Sequence, residues 1–188
     1  LRLASALWRF WHIHGHVGEG RAWLEEMLGL DERSGRQAQP ALRAQVLNRA
    51  AGLASEQGDY RRAAVLLDAS VTLFRALDHK PGMAAALNVS GIVAKYRGDY
   101  AHAVALWDEC LDLYRTLDLR TGMATVLNNL GTVVGERGDL ARAAALYEES
   151  LALKRELGDR RGIANGLTNL GDVAHRAGDD ARAAVLYK

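Results

Sequence analysis

Apolar side chains recur along most of the chain at spacings of three and four residues, which is the spacing of one helical face. In residues 121–137 these positions are Met123, Val126, Leu127, Leu130 and Val134. Residues 139–157 carry a second stripe of the same kind. Between the two stripes, Gly138 can take the positive φ that ends a helix, and Asp139 can accept hydrogen bonds from the first N–H groups of the next. The pattern predicts two helices joined by a tight turn.

This helix pair recurs at a constant interval along the chain. Gly-Asp pairs mark the interval and begin at residues 58, 98, 138 and 178, which defines a 40-residue period. Residues 81–117 match residues 121–157 at 19 of 37 positions without a gap. Self-similarity at such a period is typical of solenoids, in which each repeat packs on its neighbours. It predicts repeats at 41–80, 81–120 and 121–160, and a truncated repeat at 161–188.

Small residues recur at two positions of the repeat where paired helices should touch closely. They are Gly91, Gly131 and Gly171 in the first helices, and Ala63, Ala103, Ala143 and Ala183 in the second helices. A larger side chain there would push the two helices apart, so packing explains the recurrence.

The N-terminal segment, residues 1–40, follows the repeat only in part. Gly18 is in register with Gly58, but Trp23 stands where the later repeats have alanine. We therefore predict a degenerate helical hairpin at residues 1–30. Residues 31–40 are polar and lack apolar periodicity, which predicts a surface loop.

The repeated spacing carries a family resemblance. Signature positions of the tetratricopeptide repeat are occupied by Leu127, Leu130, Gly131, Gly138, Ala143, Tyr147 and Ser150. Residues 41–188 resemble that family, and the 40-residue period resembles its long-helix branch, found in kinesin light chains and bacterial signalling regulators. The resemblance implies an all-α fold, a right-handed superhelical solenoid of antiparallel helix pairs.

The start of the chain has a shorter resemblance of its own. Residues 7–28 look like the start of the helical-repeat region of large bacterial regulators, in which an NTPase module precedes the repeats. LuxR-type ATP-binding activators and SARP-type activators are examples. The chain starts at Leu1 and stops at Lys188 within a predicted helix. We therefore expect it to be a fragment of a larger protein.

Composition narrows the classes of partner. The chain has 24 Lys and Arg against 23 Asp and Glu, whereas a nucleic-acid footprint or an anionic membrane surface favours a basic excess. Its uncharged runs are too short to span a bilayer. The single cysteine, Cys110, excludes an internal disulfide and fits a reducing compartment. These features predict a cytoplasmic protein with no direct contact to nucleic acid or membrane.

No catalytic or metal-binding pattern is recognisable. His12, His14 and His16 alternate along the chain, so on one helix neighbouring imidazoles point about 200° apart. They could converge on one ion only through a turn at Gly15, and a fourth ligand is missing. Cys110 occupies a small-residue position shared with Ser70 and Ser150, which predicts a buried, inert thiol. The tryptophans Trp8, Trp11, Trp23 and Trp107 are interpreted as core or stacking-face residues. A phosphate-binding loop, a nucleophile elbow and a metalloprotease helix are all missing. We predict no enzyme activity, no metal and no cofactor.

The family resemblance implies a binding groove along the concave face, lined by the first helix of each repeat. The groove-facing positions are Gln45, Asn48, Ser55, Ala85, Asn88, Ile92, Lys95, Tyr96, Thr125, Asn128, Thr132, Glu136, Asn165, Thr168, Asp172, His175 and Arg176. One residue type recurs in register, at Asn48, Asn88 and Asn128. These amides could pair with the backbone of an extended peptide, or bond the neighbouring helix and position it. Only Lys95 and Arg176 add positive charge, which argues against a receptor of the carboxylate-binding, chaperone-tail type.

The sequence thus predicts a non-catalytic interaction module. Its partner would be a protein or an extended peptide, including a segment of its own parent protein. The leading interpretation is the sensor or scaffold arm of a larger bacterial signalling ATPase or transcriptional regulator. The alternative is a stand-alone peptide-binding adaptor or a receptor for signalling peptides.

Overall fold

The computed structural model describes residues 1–34 and 39–188, and within them the chain forms ten helices and no strand. The helices are α1 (Arg2–Ile13), α2 (Val17–Arg33), α3 (Pro40–Glu56), α4 (Tyr60–Ala76), α5 (Lys80–Tyr96), α6 (Tyr100–Thr116), α7 (Arg120–Glu136), α8 (Leu140–Glu156), α9 (Arg160–Arg176) and α10 (Asp180–Leu186). They pack into two compact units, residues 1–106 and 107–188, which are described separately below. The all-α fold implied by the family resemblance is confirmed.

Helix starts follow a strict spacing. From Pro40 onward, helices begin at a constant 20-residue interval, at positions 40, 60, 80, 100, 120, 140, 160 and 180. Each helix from α3 to α9 has 17 residues, which leaves three for the turn. The period of the sequence therefore equals two helix–turn steps.

The turns use the chemistry expected at residues 138 and 139. Gly138 has φ of 92°, in the left-handed region that glycine adopts without a steric penalty. The side chain of Asp139 then accepts a hydrogen bond from the N–H of Arg142, at 3.1 Å, and caps α8. Two turns depart from this pattern, because Asp78 and Asp118 take the same conformation with φ of 47° and 48°.

In the unit 1–106, α3 and α4 are joined by both apolar packing and a buried hydroxyl. Ala63 is fully buried at the small-residue position of α4. Ser70, also fully buried, donates to the backbone carbonyl of Ala44 at 2.8 Å. A hydroxyl in the core remains satisfied in this way and fixes the register of the helix pair.

In the unit 107–188, the α7–α8 pair repeats the same arrangement. Ser150 donates to the carbonyl of Ala124 at 2.7 Å. A Cβ added to Gly131 would lie 2.8 Å from the ring of Tyr147, so the glycine makes room for the aromatic ring. Cys110 is fully buried at the position equivalent to Ser150, as predicted.

The N-terminal hairpin has a large residue at a position where later repeats have small ones. Trp11 stands at the register position of Gly131, and its side chain covers Gly20 of α2, where a Cβ would lie 2.6 Å from the tryptophan. Arg49 of α3 holds α1, since its guanidinium donates to Ser5 and lies 5.4 Å from the centre of the Trp8 ring.

The tryptophans differ in burial. Trp11 and Trp107 are buried, as predicted for core residues. Trp23 is 47% exposed, so of its two predicted environments, core or stacking face, the core is excluded.

The predicted loop at residues 31–40 is shorter than expected. Helix α2 continues through Arg33, and Pro40 already lies in the first turn of α3. The polar character of Asp31 was misleading, because its buried carboxylate pairs with Arg43 at 2.8 Å and so belongs to a helix–helix contact. Residues 35–38 of that segment lie outside the described part of the chain.

The lengths and hydropathies of the helices decide whether any of them could cross a membrane. Within residues 1–34 and 39–188, no helix is both long enough and apolar enough to cross a bilayer.

Candidate ligand-binding site

A polar cleft of about 240 Å³ opens between α7 and α9 in the unit 107–188. Its lining comes from α7, the last turn of α8 and the N-terminal part of α9. The lining residues are Thr125, Asn128, Asn129, Lys154, Asp159, Arg161, Gly162 and Asn165. Three of them, Thr125, Asn128 and Asn165, are positions for which the sequence predicted a groove.

One position of the repeat that lines the cleft, residue 154, has changed from aromatic to lysine. In the preceding repeat, the ring of Tyr114 lies against Gly122, where a Cβ would be 2.7 Å away. Burial, with a smaller contribution from Cys110, raises the pKa of Tyr114 to about 12. In the next repeat the pair is Lys154 and Gly162, with the lysine Cδ 3.1 Å from a Cβ built on that glycine. The change places a lysine in the lining of the cleft.

Lys154 is a buried cation with a neutral partner. The residue is 8% exposed, and its Nζ donates to the side-chain oxygen of Asn128 at 3.2 Å. Burial lowers the pKa of Lys154, and the negative charge of Asp159 offsets part of that effect. An ammonium group carries three N–H donors, and Asn128 engages one of them.

The recurring asparagines are not equivalent to one another. The oxygen of Asn128 also accepts a hydrogen bond from Nδ2 of Asn169, at 3.1 Å, so it links α7 to both α8 and α9. The side-chain oxygen of Asn48 is buried without a partner. The residues in register with Lys154 and Asn169 are here Phe74 and Val89, which have no side-chain donor.

The outer rim of the cleft is exposed and polar. Arg161 and Asn165 are both exposed on the first two turns of α9. The carboxylate of Asp159 accepts a hydrogen bond from the N–H of Gly162 at 2.9 Å and so caps α9. Three formal charges lie in the lining, two positive and one negative.

Other predicted groove residues of this unit make bonds inside the unit. Thr132 and Asp172 accept hydrogen bonds from the hydroxyls of Tyr147 and Tyr187, at 3.0 and 2.6 Å. Arg176 donates to the carbonyl of Gly135 at 2.9 Å and joins α9 to α7.

The remaining positions of this unit lie outside the cleft lining. Nδ1 of His175 lies 2.6 Å from the carboxylate of Asp180. The hydroxyl of Thr168 donates to the carbonyl of Ala164 in its own helix. Glu136 is exposed at the end of α7.

In the unit 1–106, most predicted groove residues are half-buried. These are Gln45, Asn48, Ser55, Ala85, Asn88, Ile92 and Lys95. Tyr96 differs, since it is 61% exposed and stacks on Tyr60 with ring centres 5.1 Å apart. The role of these residues in ligand binding stays a prediction.

The N-terminal histidines occupy separate environments. Nδ1 of His12 lies 2.6 Å from the carboxylate of Glu56. His14 and His16 pack instead on Phe10, with ring centres 4.7 and 5.8 Å from it. Within the described residues, no three His, Cys, Asp or Glu side chains are placed to hold a metal ion.

Sequence reasoning missed Lys154 and Arg161, two of the three charged groups of the cleft. Lys154 lies on a second helix, and the predicted groove positions were all on first helices. A signal was nonetheless present, because lysine stands where two other repeats have Phe74 and Tyr114. A charge at a position that is otherwise aromatic indicates a local change in packing.

Comparison with known proteins identifies the family of this fold. The family model described as tetratricopeptide repeat matches residues 42–116 and 122–188. No curated protein matches the sequence.

Several solved structures share the fold at low sequence identity. BtubC (BKLC) from P. vanneervenii is 22% identical, with a TM-score of 0.84 over 97% of this chain and 75% of that one. The Rap conjugation gene regulator of plasmid pLS20, in complex with the Phr* peptide, is 15% identical, with a TM-score of 0.78 over 96% and 49%. MamA from Desulfovibrio magneticus RS-1 is 17% identical, with a TM-score of 0.70 over 99% and 90%. Because the family model covers most of its length and its helix pairs pack as that repeat requires, the chain belongs to the tetratricopeptide repeat family.

Proposed function

We propose that the chain is a non-catalytic module that binds a protein segment or an extended peptide at the cleft between α7 and α9. The observation that carries this proposal is the convergence of Thr125, Asn128 and Asn165 on one polar cleft. Hydroxyl and amide groups offer both donors and acceptors, which suits them to the backbone of an extended chain.

A structural neighbour supports a peptide as the ligand. The Rap conjugation gene regulator, which shares the fold, was solved in complex with the Phr* peptide. At 15% identity this similarity shows the fold alone. The proposal that the present chain binds a peptide is therefore argued from the residues of its own cleft.

The same proposal extends to the cellular role. We assign the chain to the bacterial cytoplasm, as the sensor or scaffold arm of a larger signalling ATPase or transcriptional regulator. Because each repeat packs only on its neighbours, a bound segment would bias the conformation of adjoining repeats and pass that bias to an attached module. The 40-residue period and the resemblance of residues 7–28 to such regulators support this assignment.

The parent gene tests the cellular role directly. We expect the residues encoded before Leu1 to contain a Gly-rich phosphate-binding loop with its lysine, or a helix-turn-helix. A gene that encodes neither would leave the alternative, a stand-alone adaptor or signalling-peptide receptor, which the peptide-bound neighbour favours.

Peptide binding can be tested without knowing the natural ligand. Peptides selected on the immobilised chain from a random display library would be synthesised, and their Kd values measured by calorimetry. Asn165 is exposed, so Asn165→Ala should weaken binding by about fivefold, roughly the worth of one hydrogen bond, without lowering the melting temperature.

A matched variant outside the cleft completes the test. Arg137 is exposed just after α7, and Arg137→Ala should leave the Kd unchanged. Failure to select any peptide, or equal binding by both variants, would reject the cleft as a peptide site.

A further inference from the structure

We propose that the outer face of the α1–α2 hairpin binds the same face of a second copy of this chain, so that the two hairpins form an antiparallel four-helix bundle. The outer face is formed by Leu3, Leu7 and Phe10 of α1 and by Trp23 and Met27 of α2. This inference concerns the unit 1–106 and does not depend on the peptide site proposed above. The supporting observations are the exposed apolar side chains, the groove between them and the charges on either side of them.

The outer face is apolar and open to solvent. On α1, Leu3, Leu7 and Phe10 follow one another at spacings of four and three residues and form one stripe. Trp23 and Met27, four residues apart, form the adjoining stripe of α2. Leu3 is 71% exposed, Phe10 51% and Trp23 47%. A contiguous exposed apolar patch on a helix pair is typical of an interaction surface.

A groove of about 310 Å³ lies between the two stripes. The buried ring of Trp11 also contributes to its lining, and Glu19 is the one charged side chain among the described residues that line it. Apolar ridges of one helix pair fill such a groove on another pair. A second helical hairpin therefore has the shape and the polarity to occupy the outer face.

The exposed charges of the hairpin have no counter-ion within the chain. Arg2 and Arg9 are exposed on α1, and Glu19 and Glu26 are exposed on α2. None of these four side chains forms an ion pair with another of the residues that the structure describes. They are available to a partner that carries complementary charges.

The less exposed acidic residues of α2 differ in this respect. The carboxylate of Glu25 lies 2.8 Å from the guanidinium of Arg21, and that of Asp31 lies 2.8 Å from Arg43. The side of α2 that packs in the unit is thus neutralised by the chain itself. The side next to the outer face is not.

The two helices of the hairpin carry opposite charge. Helix α1 has two arginines and no acidic residue, whereas α2 has five acidic residues and two arginines. Two copies of this hairpin are therefore complementary when α1 of one copy lies on α2 of the other. A single two-fold axis produces that contact twice, which makes the interface self-complementary.

The spacing of the charges matches this arrangement. Arg2 and Arg9 are seven residues apart, as are Glu19 and Glu26, and residues seven apart lie on the same side of a helix about 10.5 Å from each other. A two-fold axis parallel to the helices lays α1 antiparallel on α2 of the second copy. Arg9 then lies level with Glu19 of the second copy, and Arg2 lies level with Glu26. Exposed ion pairs add little affinity, so apolar burial stabilises the dimer and the charges select its register.

The mass of the chain in solution is the first test. Sedimentation equilibrium of the 188-residue chain, between about 1 and about 200 µM, should show the 20.5 kDa monomer in exchange with a species of twice that mass, with a Kd on the order of 10 µM. A chain that stays monomeric at the highest concentration would overturn the inference and leave the outer face to a different occupant.

Matched variants locate the interface. Leu3→Glu introduces a charge into the outer face at an exposed position, so the helical circular-dichroism spectrum should be retained while the dimer Kd rises at least about tenfold. Val65→Glu makes a similar change in α4, where the side chain is 55% exposed, and should leave the Kd unchanged. Equal association of the two variants would show that the dimer forms elsewhere.

A charge exchange tests the pairing of α1 with α2. Arg9→Glu places like charges opposite each other and should raise the dimer Kd by about fivefold. Arg9→Glu combined with Glu19→Arg restores opposite charges across the interface and should recover most of that loss. A double variant that associates no better than Arg9→Glu would reject this pairing and, with it, the proposed dimer.

Discussion

The side-chain oxygen of Asn128 accepts a hydrogen bond from the ammonium of Lys154 at 3.2 Å. This contact joins the middle of α7 to the last turn of α8. It also gives Asn128 a structural role that Asn48, whose buried oxygen has no partner, does not share. The two asparagines stand at the same register position, two repeats apart, so the difference comes from their neighbours.

We predict unequal effects on stability at these two positions. Asn128→Ala would leave a buried ammonium without its acceptor and should lower the free energy of unfolding by about 2 kcal/mol. Asn48→Ala removes an amide oxygen that is already unsatisfied and should cost less than about 0.5 kcal/mol. Urea unfolding of both variants measures the difference.

A double variant checks the cause. Asn128→Leu combined with Lys154→Met replaces both polar partners by apolar groups of similar size, so it should recover part of the loss. The contact would not explain the effect if the double variant lost more free energy of unfolding than the two single variants lose in sum.

Two glycines in helix interiors should respond in opposite directions to alanine. A Cβ at Gly131 would lie 2.8 Å from the buried ring of Tyr147, so Gly131→Ala should cost about 2 kcal/mol through overpacking. Nothing lies within 4 Å of a Cβ at Gly52, so Gly52→Ala should add about 0.5–1 kcal/mol through the better helix propensity of alanine. Thermal unfolding of the two variants measures the difference. A Gly131→Ala variant that is more stable than the wild type would contradict the close approach of Gly131 to the ring of Tyr147.

The helices and turns were predictable because they depend on local residues. The apolar stripe around Leu127 and the Gly138-Asp139 pair are sufficient to predict a helix, its end and the next cap. The small residue at 131 predicted the tight contact that the structure shows with Tyr147.

The cleft was only partly predictable, because its hydrogen bonds depend on residues far away in the sequence. Asn128 was identified from its register, but its partners Lys154 and Asn169 are 26 and 41 residues away. The register of Asn128 is identical to that of Asn48, so sequence position alone does not distinguish the satisfied amide from the orphaned one. That distinction required knowing which side chains of neighbouring helices meet it.

The turn at Asp78 offers a stabilising substitution. Its φ of 47° is in the left-handed region, which is sterically unfavourable for aspartate but not for glycine. Asp78→Gly should raise the free energy of unfolding by about 0.5–1 kcal/mol, measured by urea denaturation. Asp118→Gly should raise the free energy of unfolding by less, because it removes a carboxylate that lies 3.4 Å from the guanidinium of Arg120. Equal increases for the two variants would show that this ion pair does not contribute to stability.

Stability at acid pH should depend on Arg21. Burial alone would raise the pKa of Glu25, but hydrogen bonds and charges from Arg21 and Arg62 outweigh it and hold the pKa below its ordinary value. The pKa of Asp59 is also lowered, chiefly by its hydrogen bond from Arg21 at 2.6 Å. Carboxylates with lowered pKa values stabilise the fold above their unfolded pKa, near 4, and lose that contribution as pH falls through the folded pKa.

The expected result is therefore a pH-dependent mutant effect. Arg21→Met should be less stable than the wild type at pH 7, and the difference should shrink as the pH falls toward 3 and both carboxylates are protonated. Arg61→Met, at an exposed position one residue before Arg62, provides the control and should show no such convergence. A constant difference from pH 7 to pH 3 would refute the ionic origin of the effect.

The constant spacing of helix starts limits how the length of this chain can change in evolution or engineering. One residue inserted inside a helix rotates all following side chains of that helix by about 100°, which would turn a buried face toward solvent. A whole repeat removed or duplicated between equivalent turns leaves each remaining cap and glycine at its place in the pattern. Gene recombination can therefore lengthen or shorten this protein in complete repeats, while single-codon insertions are tolerated only at the short turns.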